Sequence, residues 1–302
     1  MTSIRSVDEN GPGEKLRVER SDGAVLAVEV IGPARHPLVV LNAGADCSMD
    51  WWRPEFCAAL TDRGFRVIRY DQRGTGQTTP GPRGGRLGGL GALVDDAVGV
   101  LDAVRADDAH WVGFSSGGWI AQLAALDHPD RVRALTLLST EPTGFGEADA
   151  DLPAPSERLQ ERWAHPLPEP DWSDEASVIE YLVDVDRDYA GAEFDEPHER
   201  AIWSATVRRS PGMHRDEGRA DVTVEPPRWR ERLPTLRVPT TVVHGTDDPL
   251  FPIGNGEALA REIPGARFVR LPGVGHELPP RAWDVVVEAI EAQHPLDPAA
   301  IG

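Results

Sequence analysis

Residues 109–120 read Ala109-His110-Trp111-Val112-Gly113-Phe114-Ser115-Ser116-Gly117-Gly118-Trp119-Ile120, and Gly113 to Gly117 within them fit the pattern G-x-S-x-G. That pattern carries meaning when a strand runs into it and a helix runs out. Here His110–Val112 reads as the end of a buried strand, and Trp119 to Leu126 has the apolar spacing of a helix packed on a sheet. The turn between them must be tight. Gly113 and Gly117 are expected where a side chain would collide with the neighbouring strand or helix. Ser115 would then present its hydroxyl at a helix N-terminus, where backbone N–H groups and the helix dipole favour developing negative charge. The plain alternative is a structural serine in a glycine-rich turn. A matching acid and base later in the chain, in the order Ser, Asp, His, would decide for the nucleophile.

Working outward, short apolar strands alternate with amphipathic helices. Leu16–Glu19 and Val25–Val30 flank Ser21-Asp22-Gly23 as a hairpin. Leu38–Leu41 is wholly apolar, as expected of a strand buried on both faces. A helix is predicted over Trp52 to Asp62, a strand over Arg66–Tyr70, a glycine-rich loop over 81–91 and a helix over Leu93 to Arg105. A strand follows at Ala134–Leu138. Such alternation implies right-handed crossovers and a mostly parallel sheet. The rhythm breaks at Glu141. Residues 141–232 carry prolines, many charges and scattered tryptophans (Trp163, Trp172, Trp203, Trp229), with helices predicted over Ser173–Asp188 and Glu196–Arg209. Alternation resumes with a strand at Thr240–His244, a helix at Gly254–Glu262, a strand at Arg267–Leu271 and a last helix at Arg281–Ala292. The expected organisation is a core domain of residues 1–140 and 233–302, with a helical cap domain of 141–232 inserted over the sheet.

The chain has 302 residues, with 50 acidic against 31 basic side chains and a net charge of −19. Lys15 is the only lysine. The charge argues against nucleic acid and anionic membrane surfaces as partners, because both would be repelled. No apolar run is long enough for a membrane span, and the N-terminal Met1–Asn10 stretch lacks the apolar centre of a signal peptide. That start is expected to be polar and disordered, and the protein cytoplasmic. Cys47 and Cys57 are too few for a disulfide framework and read as reduced and structural.

Two loops after late strands supply candidate partners for Ser115. His244-Gly-Thr-Asp-Asp-Pro249 places Asp247 and Asp248 where ligands bind in open α/β sheets, beyond the carboxyl ends of strands. Leu271-Pro-Gly-Val-Gly-His276 uses Gly273 and Gly275 to turn sharply and present His276. His244, at a strand end, competes as the base, with a packed core histidine as its plainer role. A serine hydroxyl needs a neutral imidazole to take its proton, and a carboxylate fixes the imidazole tautomer. The oxyanion needs N–H donors. One is expected from Ser116, directly after the nucleophile, and the other from Asn42-Ala-Gly-Ala-Asp46, with the N–H of Ala45 favoured.

On Leu41–Asp46, Tyr70–Gly76, Gly113–Gly118, His244–Pro249 and Gly273–Pro279, the chain resembles the α/β-hydrolase superfamily. More narrowly, Ala43–Asp46 with Trp51-Trp52, Val67–Arg73 and Gly273–Pro279 resemble the aclacinomycin methylesterase group, which hydrolyses a methyl ester on an anthracycline polyketide. The resemblance implies an α/β-hydrolase fold with a helical cap, a Ser115–His276–Asp248 triad and no metal or organic cofactor. Its pattern places the acid just before a proline, which favours Asp248 over Asp247. Some members carry the acid after the strand at 134–138, where Glu141 stands here. Many relatives have His-Gly before the oxyanion residue; Asn42, Ala43 and Gly44 precede Ala45 in this chain. Ser115 where epoxide hydrolases and haloalkane dehalogenases carry Asp argues against both. Asp71 and Arg73 are expected to make a structural turn or ion pair. The implied activity is hydrolysis of a carboxylic ester, with a small-molecule ester as partner. Lactone, thioester, amide or C–C hydrolysis and cofactor-free perhydrolysis remain open on the same triad. A slow or non-catalytic ligand receptor is the reading from another class.

Overall fold

The computed structural model describes residues 4–7, 13–79, 89–144, 149–210 and 228–294. The first strands are β1 (Ile4–Val7), β2 (Glu14–Glu19), β3 (Val25–Ile31), β4 (Leu38–Asn42) and β5 (Arg66–Tyr70), with helix α1 (Pro54–Asp62) between the last two. Helix α2 (Leu90–Ala103), β6 (Ala109–Phe114), α3 (Ser116–Asp127) and β7 (Val132–Leu138) follow. After an excursion come β8 (Thr240–Gly245), α7 (Gly254–Glu262), β9 (Arg267–Leu271) and α8 (Pro280–Glu291). The excursion itself holds α4 (Glu157–Ala164), α5 (Glu175–Tyr189) and α6 (Glu196–Arg209).

Among the described residues the strands form one nine-stranded sheet in the order β1-β2-β3-β5-β4-β6-β7-β8-β9. Pairing is antiparallel from β1 through β3 to β5 and parallel from β5 to β9. The parallel part is covered on both faces, as its continuous apolar strands require. Along β4, Leu38 and Val40 face one hydrophobic cluster with α2, α3 and α7, while Val39 and Leu41 face another with α1 and α8. Side chains alternate between faces because the strand period is two. Each fully buried Val or Leu contributes roughly 1.5–3 kcal/mol.

Winding reverses between β4 and β6: β5 lies on one side of that pair and β7 on the other. The loops after β4 and β6 therefore diverge and leave a crevice at the carboxyl edge of the sheet. The excursion lies over this edge and is tied down by polar contacts. At the end of α6, Arg209 bonds Asp71 at 2.7 and 2.9 Å and Asp50 at 2.8 Å. The Ser48 and Thr206 hydroxyls lie 3.0 Å apart, and Arg53 reaches the Ala201 carbonyl at 3.4 Å.

Several expectations shift. Residues 4–7 of the polar start are not disordered: their backbone pairs with β2 as an edge strand, taking up hydrogen-bonding groups that β2 would otherwise leave open. Asp71 and Arg73 do not pair with each other. Asp71 takes Arg209 and the N–H groups of Met49 and Gln77, whereas Arg73 takes Asp96 and Asp22. Helix α4 was not read from the sequence, because its single buried apolar residue, Leu159, gives no periodic stripe. The loop expected over 81–91 lies outside the described residues over 81–88, while Leu90 and Gly91 already belong to α2. Cys47 and Cys57 are free thiols. Among the described residues no helix is long and apolar enough to cross a membrane.

Candidate active site

Ser115 sits between the end of β6 and the start of α3 with φ 55° and ψ −124°. A side chain rarely adopts positive φ, so this conformation is strained and held by its surroundings. A Cβ on Gly113 would lie 2.3 Å from the Gly117 carbonyl oxygen, and one on Gly117 would lie 2.2 Å from that of Asn42. Both elbow glycines are thus required by close backbone approach, as expected from the sequence. The Ser115 N–H donates to the Leu138 carbonyl at 3.0 Å. Its carbonyl accepts from the Gly118 N–H at 2.8 Å and the Thr140 hydroxyl at 2.7 Å. With the backbone fixed by three bonds, the side chain is delivered to a cavity of about 620 Å³.

His276 lines the same cavity. Its Nδ1 lies 2.8 Å from Asp248 Oδ2, and the other carboxylate oxygen accepts the N–H groups of Leu250 and Phe251, both at 2.9 Å. Asp248 is 3% exposed, so these fixed donors replace water around it. A carboxylate on Nδ1–H leaves Nε2 as the ring nitrogen able to take a proton from Ser115. The His276 N–H is held by the Tyr189 carbonyl at 2.8 Å, and the ring packs 4.8 Å from Phe114 and 5.3 Å from Phe251 between centroids.

The competitors lie elsewhere. Asp247 is exposed and bonds its neighbour Thr246. Glu141 does not line the cavity; burial pushes its carboxyl up to about 8. His244 is buried, its Nε2 2.6 Å from the Phe251 carbonyl and 3.6 Å from Asp248, and burial pushes its imidazole down. It packs against Asp248 and does not line the cavity.

The loop after β4 forms the wall opposite. Asn42 is fixed by bonds to Val112 and Tyr70, and Gln72 holds the Ala43 carbonyl. A Cβ on Gly44 would lie 3.2 Å from the Phe114 ring and in ordinary contact, 3.4 Å, with Ser115 Cβ. Gly44, Ala45 and Asp46 line the cavity, with Asp46 at φ 60°. Ser116 opens α3, where N–H groups have no intrahelical acceptor.

Two tryptophans of 141–232, Trp172 and Trp203, wall the other side of the cavity, as the sequence allows for one or two of them; sequence reasoning missed the rest of that side. Trp51, stacked on Phe114 with centroids 4.0 Å apart, lines it together with Trp172, Tyr181, Tyr189 and Trp203. Of the tryptophans singled out in 141–232, Trp229 is buried against Gln122 and Trp163 is exposed. Four carboxyls also line this side: Glu169, Asp186 of α5, Glu199 of α6, and Glu277, next to the histidine. Asp186 accepts the Trp203 indole N–H. Burial pushes Asp186 up to about 6, and burial with repulsion from Asp186 pushes Glu199 up to about 9, so the pair shares a proton near neutrality. Burial also raises Glu277. The one available signal was the helical spacing that puts Leu182, Val185, Asp186 and Tyr189 on one face of α5.

The sequence matches the family described as alpha/beta hydrolase fold over residues 36–279. The rhodomycin D methylesterase DauP of Streptomyces sp. (strain C5) is 32% identical over 295 residues, covering 91% of this chain and 96% of its own. A solved hydrolase from Pseudomonas aeruginosa PA01 superposes with a TM-score of 0.62 at 30% identity, over 94% of this chain and 97% of its own. The esterase RhEst1 from Rhodococcus sp. ECU1013 shares the fold, with a TM-score of 0.71 at 21% identity over 96% and 99% of the two chains.

Proposed function

The chain belongs to the α/β-hydrolase fold family, and on that premise we propose that it hydrolyses a carboxylic ester through Ser115, His276 and Asp248. The observation that carries this reading is a serine at φ 55° sharing a cavity with a histidine whose Nδ1 is 2.8 Å from a buried carboxylate. In the first step His276 Nε2 takes the Ser115 proton as Oγ attacks the ester carbonyl. The oxyanion is received by the N–H groups of Ser116 and Ala45. His276 then protonates the departing alcohol, leaving an acyl-serine. Water, deprotonated by the same imidazole, cleaves that acyl-enzyme and returns Ser115 to its hydroxyl form. Each oxyanion donor is worth about 10²–10³ in turnover.

Residues 141–232 act as a cap in this reading, because α5 and α6 wall the cavity above Ser115. The substrate class we favour is a methyl ester on a bulky aromatic molecule. Two features support it: a cavity of about 620 Å³ walled by Trp51, Trp172 and Trp203, and similarity to an enzyme described as a rhodomycin D methylesterase.

Hydrolysis of p-nitrophenyl esters from acetate to octanoate tests the reaction on wild type, Ser115→Ala and His276→Ala. Both variants should lose about 10⁴-fold or more in kcat while keeping the wild-type circular dichroism. Turnover that survives in Ser115→Ala would overturn the nucleophile. A folded wild type inert on every ester would overturn the reaction and favour a receptor.

A further inference from the structure

The loop that presents His276 is held by a segment far from it in sequence. Tyr189, which ends α5, and the two residues after it run against Gly273–Glu277. The His276 N–H donates to the Tyr189 carbonyl at 2.8 Å. A Cβ on Gly275 would lie 2.2 Å from the Gly191 N and 2.4 Å from the Ala190 carbonyl carbon, so the two backbones meet with no side chain between them. One backbone bond is a weak tie for such a joint.

Glu277 supplies a second tie. Its side chain turns back from the position after the base, and Oε1 accepts the Gly191 N–H at 3.2 Å. A bond from the Gly275 N–H also favours its charged form. Arg281 lies 3.7 Å from the same Oε1 and donates to the Gly273 carbonyl at 3.2 Å. One carboxylate therefore bridges the segment after α5, the residue before His276 and the start of α8. The side chain is only 5% exposed, so water competes little for these donors. Burial raises its carboxyl even so. An apolar side chain would fill the same space without that cost, and the acid on His276 Nδ1 is Asp248.

We propose that Glu277 is a positioning residue: by holding the Gly191 N–H against the loop of His276, it sets where the imidazole stands relative to Ser115. It acts through His276 and takes no proton itself. The inference deepens the ester reading and rests on it for the catalytic consequence only, because the joint can be observed without turnover.

Three variants separate what Glu277 supplies. Glu277→Leu removes the acceptor at similar volume, Glu277→Asp keeps the charge but loses the reach to Gly191, and Glu277→Gln keeps one acceptor oxygen at full reach. Each is measured for kcat and KM on p-nitrophenyl acetate and octanoate, and for amide hydrogen exchange at single residues. In Glu277→Leu and Glu277→Asp, kcat should fall about 10–100-fold with KM within twofold, by the same factor for both esters, because a misplaced base slows every acyl transfer alike. Glu277→Gln should keep a kcat at least threefold above both. The His276 amide should exchange at least tenfold faster in the two impaired variants, although its own acceptor, the Tyr189 carbonyl, is untouched. The amides of Leu250 and Phe251, which hold Asp248, should exchange as in wild type, and that separates an opened joint from a weakened fold. If Glu277→Leu does not fold, Glu277→Asp against Glu277→Gln decides. Wild-type kcat in Glu277→Asp, equal losses in Glu277→Asp and Glu277→Gln, or a loss that lies in KM and differs between the esters would overturn the positioning role. A wild type inert on both esters, with exchange at His276 responding as expected, would keep the joint and sink the ester reading.

Discussion

Carboxyl groups stand on two sides of the site, and the two sides are built to different rules: Asp248 lies behind His276, outside the cavity lining, whereas Asp186, Glu199 and Glu277 line it. On the sheet side, Asp248 has each oxygen committed: one to the N–H groups of Leu250 and Phe251, the other to His276. It can orient the imidazole and do little else. On the α5 and α6 side, burial raises the Asp186 and Glu277 carboxyls, and burial with repulsion from Asp186 raises that of Glu199. The first arrangement meets its charge with fixed donors; the second holds its acids against the cost of burial. Acids kept beside a cavity at such a cost point to function rather than to stability.

The difference can be broken at its most committed point. Asp248→Asn keeps the shape but can offer an N–H where His276 Nδ1 needs an acceptor, which favours the wrong tautomer. We expect kcat to fall about 10³–10⁴-fold. Asp247→Asn, at the exposed neighbour, should stay within about twofold in the same steady-state assay. Equal losses in the two variants would break the distinction between a committed acid and a solvated one.

A smaller effect is expected at the joint between the two sides. A Cβ on Gly191 would lie 2.2 Å from the Gly273 carbonyl oxygen and 2.8 Å from the Gly275 N, both in the loop that presents His276. Gly191→Ala must therefore push that loop or the end of α5 aside. A displacement near 1 Å at the base costs on the order of 10²-fold in rate, so a fall of about 10–100-fold in kcat is expected. Unchanged turnover, with a melting temperature near that of wild type, would mean that the cap does not position the base.

The sheet side was legible in the sequence because local rules specify it. Apolar runs such as Leu38–Leu41 mark strands covered on both faces, and glycines at 113 and 117 mark an elbow that excludes Cβ atoms. Parallel strands then carry Ser115, Asp248 and His276 to one edge without further information. The cap side was illegible for a physical reason. Helix α4 buries only Leu159, and the approach of Asp186, Glu199 and Glu277 depends on how α5 and α6 pack on a loop far along the chain. The ties that hold it, Arg209 on Asp71 and Gly191 against Gly273, join residues widely separated in sequence, and no periodicity encodes such pairs.

The last prediction turns the surplus charge into a stability measurement. Glu199 is pushed up from 4.5 to about 9 by burial and by Asp186, and Asp186 from 3.8 to about 6. Between these limits the folded protein holds protons that the unfolded chain releases. Their contribution is fully present below about pH 4 and is lost as pH rises towards 9, so stability falls with pH across that window. Glu199→Gln keeps a donor towards Asp186 but cannot titrate. Its melting temperature should match that of wild type near pH 5 and exceed it by at least about 4 °C at pH 8.5, since each kcal/mol is worth roughly 2–4 °C in a chain of this size. The gap must widen steadily with pH, because the wild-type penalty accrues as the unfolded state gives up its proton. A gap that is constant with pH would show that Glu199 does not carry a retained proton, and the contrast between the two sides of the cavity would lose its electrostatic basis.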